Sequence, residues 1–252
     1  MEYREFKLPK KSGGFRKITA PDSELLNYQR KLLPSLESLW EDITVEYDVE
    51  DVQHGFISNR NVVTAAEQHI GFSTTISMDI SDFFDNVTSD MISRFAPQYG
   101  NDSYLFHADR YCSQGFATSP ILCNIALIPA LSKIKEHLEA QLDDDFAFTV
   151  YADDIAISSN ITYDDYEMQN WVKTMVENTM TEYGFSVKPS KTRTRFSKYG
   201  YRRVLGIMVG NDSMKVSRKI KYKLRAAKHQ RNGSSIGGLT TWSLLLKPKA
   251  LR

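Results

Sequence analysis

Two adjacent aspartates between two apolar runs constrain this chain more than any other feature. The segment Tyr151-Ala152-Asp153-Asp154 follows Phe146–Val150 and precedes Ile155–Ser159, a pattern that predicts strand, tight turn and strand. Neighbouring carboxylates beside buried strands repel each other, and burial disfavours their charged forms. A divalent cation offsets both costs, and Mg²⁺ is usually held by one or two carboxylates together with substrate phosphates. The turn therefore predicts a site for metal-assisted phosphoryl transfer.

A second acid upstream can complete that site. The segment Thr74–Ile80 alternates polar and apolar residues and is rich in β-branched side chains, which predicts a strand. Asp79 falls near the end of this strand, where a side chain can reach a cleft. We expect Asp79 and Asp153 to converge on a pair of cations that clamp the attacking and leaving oxygens of an in-line displacement.

Further motifs surround these acids in a fixed order: Gly13-Gly14-Phe15-Arg16-Lys17-Ile18, Gln53-His54-Gly55-Phe56, Gln114-Gly115-Phe116-Ala117-Thr118-Ser119-Pro120, Gly184–Thr192 and Arg203-Val204-Leu205-Gly206-Ile207. With the acids, they resemble the motifs of the reverse transcriptases from about Gly13 to about Lys228. Within that family, Thr118-Ser119-Pro120 and the compact fingers look most like the bacterial retron and defence-associated groups.

The resemblance implies a role for each matched acid and lysine. Asp79, Asp153 and Asp154, with the backbone of Ile80, would hold two Mg²⁺ ions, for which Mn²⁺ could substitute. Lys191 would act with the acids in catalysis, by protonating or neutralising the leaving pyrophosphate. Lys188 is a rival for that role, and both lysines could instead only hold phosphate.

The resemblance also implies a nucleotide site. Arg16 would hold the triphosphate of the incoming nucleotide, since a guanidinium forms planar, bidentate contacts with phosphate, and Lys17 could take the same role. Gln114 would contact the nucleotide. Phe84, five residues after Asp79, would lie under the sugar and clash with a 2′-hydroxyl, so that deoxynucleotides are selected.

Charge is distributed unevenly along the chain. Residues 187–252 contain eighteen of the 32 Lys and Arg but one of the 31 acids, which leaves that part near +17 and the rest near −16. Such a basic block predicts contact with a polyanion through salt-sensitive phosphate binding. The candidate nucleic-acid contacts are Arg203, Leu205 and Gly206 of the primer-grip motif and Arg218, Lys221 and Arg225 of a basic helix.

The predicted fold is α+β, a polymerase right-hand fold with fingers, an antiparallel palm sheet backed by helices on one face, and a short basic helical thumb. The expected boundaries are fingers 1–72, palm 73–200 with interleaved fingers helices at about 88–115, primer-grip hairpin 201–217, and short thumb with basic tail 218–252. Predicted elements within these include helices over Glu24–Trp40, Asn61–Ile70 and Ser103–Tyr111, a helix from Ser119 kinked or broken at Pro129, and a strand over Arg203–Val209.

The predicted function is RNA-directed DNA synthesis on a primer 3′ end, with an RNA template, a DNA primer or product and deoxynucleotides. The subgroup resemblance implies a dedicated non-coding RNA and a role in antiphage defence, and a short thumb leaves room for a protein partner or a second copy of the chain. Two alternatives remain open: a non-catalytic nucleic-acid-binding scaffold, and a template-independent DNA polymerase. The sequence lacks a run of eighteen apolar residues, so we expect no membrane span. Its two cysteines without metal-type spacing suggest a reducing compartment, and together with the resemblance to bacterial enzymes this implies a bacterial cytoplasmic location.

Overall fold

The computed structural model describes residues 2–10, 13–143 and 145–230 and the single positions 233, 237 and 240. The strands in these parts are β1 (Tyr3–Pro9), β2 (Phe15–Pro21), β3 (Thr74–Asp79), β4 (Phe146–Tyr151), β5 (Asp154–Ser159), β6 (Arg193–Phe196), β7 (Arg202–Val204), β8 (Ile207–Val209) and β9 (Met214–Val216). The helices are α1 (Ser23–Glu46), α2 (Val62–Glu67), α3 (Phe83–Asn86), α4 (Ser89–Ser93), α5 (Pro97–Gly100), α6 (Ser119–Leu142), α7 (Tyr166–Glu182) and α8 (Arg218–His229). These elements confirm the α+β class.

A four-stranded antiparallel sheet forms the centre of the molecule. Its strand order is β4-β5-β3-β6. Residues at alternate positions of a strand point to opposite faces, so Ile76 and Met78 of β3 lie on the face that packs into the main apolar core. That core includes one side of α6 and α7, whose residues Ile125, Leu131 and Val176 are buried.

The sequence predicted helices on one face of the sheet, but the opposite face is also partly covered. Val63 and Ala66 of α2 and Val204 and Ile207 of the β7–β8 hairpin pack against Ala156 of β5 in a second, smaller core. The sheet is therefore covered on this face around Ala156, while Asp79 and Asp154 lie at the strand ends, where β3 and β5 pair with these two residues opposite each other.

A buried arginine attaches the β7–β8 hairpin to the sheet. Arg202 is fully buried, and its guanidinium donates hydrogen bonds to Oγ1 of Thr75 at 3.1 Å, to the carbonyl oxygen of His69 at 2.9 Å and to that of Gly210 at 3.2 Å. Buried charges persist when they are well hydrogen-bonded. Arg202 thereby fixes the hairpin relative to β3.

Several predicted boundaries change. Helix α1 extends to Glu46 rather than Trp40, and its N-cap is Asp22, whose carboxylate accepts a hydrogen bond from the backbone N–H of Leu25 at 2.7 Å. Helix α2 begins after Asn61 as predicted but ends at Glu67. Helix α6 runs through Pro129 without a break, because the apolar packing around it compensates for the lost hydrogen bond.

Two predicted elements are wrong. The segment Ser103–Tyr111 forms turns instead of a helix, since the side chain of Asp102 accepts from the N–H of Tyr104 and Arg110 adopts a left-handed conformation with φ 65°. The single strand predicted over Arg203–Val209 is a hairpin, which turns at Leu205 and Gly206 with φ values of 49° and 85°.

Most of the predicted C-terminal tail lies outside the described residues. Within the segment predicted as thumb, the structure describes the helix α8, whose basic side chains are exposed. Among the described residues, no helix combines the length and apolar character that crossing a bilayer requires.

Candidate active site

Three carboxylates meet where the central strands end. Asp79 is the last residue of β3, Asp153 lies in the turn between β4 and β5, and Asp154 is the first residue of β5. The backbone N–H of Ile80 donates to the carbonyl oxygen of Asp153 at 2.8 Å, and Ala152 tightens the turn with φ 54°. The structure thus brings together acids that are seventy-four positions apart in the sequence.

The pKa values of two of these acids reflect their crowding. Burial, reinforced by the carboxylates of Asp153 and Asp79, raises the pKa of Asp154 to about 6. Burial and the charge of Asp79 likewise raise the pKa of Asp153. Like charges that lie close together in a partly desolvated place raise the pKa values of carboxyl groups, and a bound cation would lower them again.

Two lysines approach the same acids. Nζ of Lys191 lies 2.5 Å from Oδ1 of Asp79, and Nζ of Lys188 lies 3.9 Å from Oδ2. The hydrogen bond with Asp79 raises the pKa of Lys191. The backbone N–H of Lys188 also donates to the carbonyl oxygen of Asp79 at 2.8 Å, which fixes the loop that carries both lysines against β3.

The acids fit a divalent cation that is only partly coordinated by protein. Within the described residues, no three His, Cys, Asp or Glu side chains form a group able to hold a metal ion by themselves. However, Oδ2 of the buried Asp79 has no hydrogen-bond partner, and burial together with the neighbouring carboxylates raises the pKa values of Asp153 and Asp154. Mg²⁺ commonly takes one or two carboxylates and completes its shell with waters and substrate phosphates, so this donor set suits it.

A cavity of about 890 Å³ adjoins Asp153 on one side. Its walls include Arg16, Gln114 and Phe84, and Lys191 and Lys188 stand at its edge near the acids. This volume is sufficient for a nucleoside triphosphate, since ligand cavities commonly measure 300–1,000 Å³. Cations, an amide and an aromatic ring therefore line a space that ends at the carboxylates.

Lys17 points away from this cavity, although it neighbours Arg16. Its Nζ forms an ion pair with Glu5 at 2.7 Å and donates to Oη of Tyr111 at 3.0 Å. Both contacts raise its pKa. Successive residues of a strand point to opposite faces, so the register of β2 separates Arg16 from Lys17.

Gln114 and Phe84 are placed by local backbone geometry. The carbonyl oxygen of Gln114 accepts from the N–H of Thr19 at 2.8 Å, which joins this segment to β2 below Arg16. The next residue, Gly115, has φ 123° and packs directly on the backbone of Thr19, where a side chain would collide. Phe84 belongs to the short helix α3, and its ring contacts those of Phe83 and Phe56.

A second cavity of about 510 Å³ lies on the other side of the acids. Asp79 and Asp154 line it together with Leu205 and Gly206 of the β7–β8 turn. Three arginines, Arg193, Arg195 and Arg203, also line it.

These three arginines form no ion pair with a carboxylate of the described chain. Burial, together with repulsion from Arg203 and Arg193, lowers the pKa of Arg195. The cavity holds three arginines and a lysine but only the two carboxylates of Asp79 and Asp154, so a bound anion would offset the repulsion among the cations, and guanidinium groups match phosphate well. The second cavity is thus suited to a phosphodiester.

The remaining predicted nucleic-acid contacts are placed differently. Arg218, Lys221 and Arg225 are exposed on α8 and line neither cavity. Sequence reasoning placed Phe56 in a family motif without giving it a role in the site, and it missed Lys10 of the first cavity and Arg193 and Arg195 of the second. The alternation of cations at Lys191, Arg193 and Arg195 is the signal that could have revealed the last two.

The chain is similar in sequence to known proteins. A family model described as reverse transcriptase (RNA-dependent DNA polymerase) matches residues 8–222. The Retron Mx65 reverse transcriptase of Myxococcus xanthus is 30% identical over 98% of this chain and 62% of that protein. The Retron Mx162 reverse transcriptase of the same organism is 28% identical over 93% of this chain and 54% of that protein. The chain therefore spans less than two thirds of the length of both relatives.

Among solved structures, a telomerase from Candida albicans in complex with a fragment of telomeric RNA is similar, with a TM-score of 0.61 and 13% identity. The match covers 90% of this chain and 50% of that one. The apo telomerase from Candida tropicalis, truncated from its C-terminal domain, gives a TM-score of 0.60 at 14% identity, over 86% of this chain and 55% of that one. At such low identities the similarity shows the fold alone, and that fold is the predicted right-hand polymerase fold.

Proposed function

Because the chain belongs to the reverse transcriptase family, we propose that it is an RNA-directed DNA polymerase that adds deoxynucleotides to the 3′ end of a primer. The observation that carries this proposal is the position of Asp79, Asp153 and Asp154 between two cavities of different chemistry. One cavity suits a nucleoside triphosphate, and the other suits the phosphodiesters of a nucleic-acid strand. In this proposal, the primer hydroxyl and the α-phosphate meet at these acids.

Asp79, Asp153 and Asp154, with the backbone of Ile80, would hold two Mg²⁺ ions, or Mn²⁺ in their place. When bound, these ions neutralise the charge that develops on the attacking and leaving oxygens. Oδ2 of Asp79, which accepts no hydrogen bond, and the raised pKa values of the two other acids support this assignment. The chain itself contributes position and electrostatics rather than covalent chemistry.

On the nucleotide side, Arg16 binds the triphosphate and Gln114 orients the nucleotide. Phe84 closes the cavity under the sugar and rejects a 2′-hydroxyl by steric clash. Lys191 begins in an ion pair with Asp79 and exchanges that partner for the phosphates of the substrate. Because its contact with Asp79 raises its pKa, we assign it first to holding phosphate and second to donating a proton to pyrophosphate.

On the primer side, Arg203 and the Leu205–Gly206 turn hold the strand that carries the 3′-hydroxyl. Arg193 and Arg195 extend this cationic surface along the edge strand β6. The helix α8 adds exposed charge through Arg218, Lys221 and Arg225, which contact the duplex further from the acids. Phosphate contacts of this kind position a strand without reading its sequence.

The similar proteins also suggest a cellular role for this chain. Their names identify them as retron reverse transcriptases of bacteria, and we propose that this chain likewise acts in the bacterial cytoplasm, with a dedicated non-coding RNA, in antiphage defence. The fingers are assigned to 1–72, the palm to 73–200, the primer-grip hairpin to 201–217 and the thumb to 218–252. We further propose that the chain acts together with a protein partner or with a second copy of itself.

The test is incorporation of deoxynucleotides by the purified chain on a primed RNA template, with Mg²⁺, with Mn²⁺ and with a chelator. We expect template-directed extension that requires either metal. Extension whose composition does not follow the template would instead support template-independent synthesis. Binding of the primed template without extension under any of these conditions would support a scaffold and contradict the proposal.

A further inference from the structure

Phe56 adopts a backbone conformation that a phenylalanine rarely takes. Its φ is +63°, in the left-handed region where a bulky side chain is strained. Its side chain also remains 44% exposed, so burial of the ring does not compensate for the strain. Strained residues persist where the surrounding structure holds them, and they cluster at functional sites.

The loop that carries Phe56 is held by buried hydrogen bonds. Gln53 is fully buried, accepts from Nε1 of Trp40 at 2.6 Å and donates to the carbonyl oxygen of Asn124 in α6 at 2.9 Å. The N–H of His54 donates to the carbonyl oxygen of Val150 in β4 at 2.8 Å. These bonds fix the loop to the strand that leads into the acidic turn.

The glycine before Phe56 tightens this attachment. Nδ2 of Asn124 donates to the carbonyl oxygen of Gly55 at 2.8 Å. A Cβ atom on Gly55 would lie 2.5 Å from the backbone nitrogen of Ala152, so the two backbones touch and leave no room for a side chain. Phe56 therefore starts from a rigid point directly beside the turn that bears Asp153.

From that point the ring of Phe56 enters the first cavity and meets Phe84. The two ring centroids are 6.2 Å apart with an interplanar angle of 65°, an edge-to-face contact, and Tyr151 lies 6.5 Å from Phe56 on another side. Both phenylalanines line the cavity. Edge-to-face pairs of aromatic rings are attractive beyond the area they bury, so the contact favours one orientation of the Phe84 ring.

We propose that Phe56 is a positioning residue for sugar selection: it fixes the ring of Phe84 so that ribonucleoside triphosphates are rejected. This inference rests on the proposed function and on the assignment of Phe84 under the sugar. Without the Phe56 ring, Phe84 can rotate into the vacated space, and a 2′-hydroxyl is then accommodated. The strained loop provides rigidity, which selectivity by steric clash requires.

The experiment compares kcat/KM for a deoxynucleotide and the matching ribonucleotide in the full-length protein. Phe56→Gly removes the ring while tolerating φ +63°, and Phe56→Tyr retains a ring. We expect the deoxy-to-ribo ratio to fall roughly 2- to 10-fold in Phe56→Gly, with a lower KM for the ribonucleotide, and to stay near the wild-type value in Phe56→Tyr. Tyr166→Ala, at an exposed aromatic outside the cavity, should leave the ratio unchanged.

A second comparison uses the background Phe84→Val. If Phe56 acts through Phe84, adding Phe56→Gly to Phe84→Val should not lower the ratio further, since coupled residues are non-additive. If Phe84→Val alters selectivity but Phe56→Gly keeps the wild-type ratio, the inference is overturned. Should the glycine variant not fold, the folded variant Phe56→Leu takes its place in this comparison. If Phe84→Val itself leaves selectivity unchanged, the gate of the proposed function fails as well.

Discussion

Nζ of Lys191 lies 2.5 Å from Oδ1 of Asp79, so a protein cation already rests on the acid that ends β3. Lys191 also lines both cavities and therefore stands at the boundary between the proposed nucleotide and primer sites. A lysine in this position can stabilise the acids before substrate binds and can form an ion pair with phosphate afterwards.

Substitutions of Lys191 separate charge from proton donation. Lys191→Met removes both, and we expect the single-turnover rate of nucleotide addition to fall on the order of a hundredfold. Lys191→Arg keeps the positive charge but is a poor proton donor, because a guanidinium stays protonated. If holding phosphate is its main role, the arginine variant should remain within about tenfold of wild type. A rate as low as that of the methionine variant would assign proton donation instead.

Two adjacent residues on β2, Arg16 and Lys17, allow a test of the triphosphate site with a matched control. Arg16 lines the nucleotide cavity, whereas Lys17 is engaged by Glu5. Arg16→Ala should raise KM for every deoxynucleotide by roughly tenfold or more, since hydrogen bonds to charged groups contribute about 1.5–3 kcal/mol. Lys17→Ala should change KM much less. Equal effects of the two substitutions would contradict the role that we assign to Arg16.

Arg193 and Arg195 are expected to bind strand phosphates. Replacing both with glutamine should weaken binding of a primed template uniformly across sequences and lower the slope of log affinity against log salt by about 1 for each lost phosphate contact. Lys133→Gln serves as the control, because Lys133 is paired with Glu136 outside both cavities. An unchanged salt slope in the double arginine variant would contradict the binding of strand phosphates in the second cavity.

Two buried histidines predict loss of stability in acid. Burial lowers the pKa of His69 to about 3 and that of His54 to about 4, whereas an imidazole in the unfolded chain titrates near 6.5. Each folded-state pKa is depressed, so the unfolded chain takes up protons first as pH falls. The free energy of unfolding should therefore decrease below about pH 6.5, by up to about 1.4 kcal/mol per pH unit for each histidine.

His69→Gln isolates one of these contributions. Glutamine can hydrogen-bond with Ser158 and Thr149, as the imidazole does at 2.8 Å, but it does not titrate. Denaturant unfolding at pH 4–7 should give a shallower pH slope for this variant than for wild type. His229→Gln, at an exposed position on α8, is the control and should retain the wild-type slope. A wild-type slope in His69→Gln would show that His69 is not held neutral in the folded state.

The convergence of the acids was accessible from the sequence because strand patterns locate strand ends. Asp79 closes one β-branched run and Asp153 separates two others, and antiparallel pairing brings such ends together. The family motifs added the order of the elements. The fold class and the placement of Arg16, Phe84 and Gln114 around one cavity follow from these two sources.

Features that depend on register and side-chain direction were not accessible. Arg202 lies among exposed basic residues in the sequence, yet it is fully buried, because its guanidinium finds partners that only the folded hairpin brings near. The turn at Leu205–Gly206 interrupts an apolar run that resembles one strand, and the side chain at Leu205 must tolerate φ 49°. The positive φ of Phe56 and the close approach of Gly55 to Ala152 likewise have no sequence signature, since both depend on how the loop packs against the β4–β5 turn.

The most direct test of the central claim is the rate of deoxynucleotide addition to a primed RNA template by Asp153→Asn, measured beside wild type. The control is Asp145→Asn, at an exposed acid that precedes β4. We predict a loss on the order of a thousandfold or more for Asp153→Asn, with unchanged melting temperature and template affinity, and a wild-type rate for Asp145→Asn. A folded Asp153→Asn variant that keeps its rate within tenfold of wild type would contradict the account.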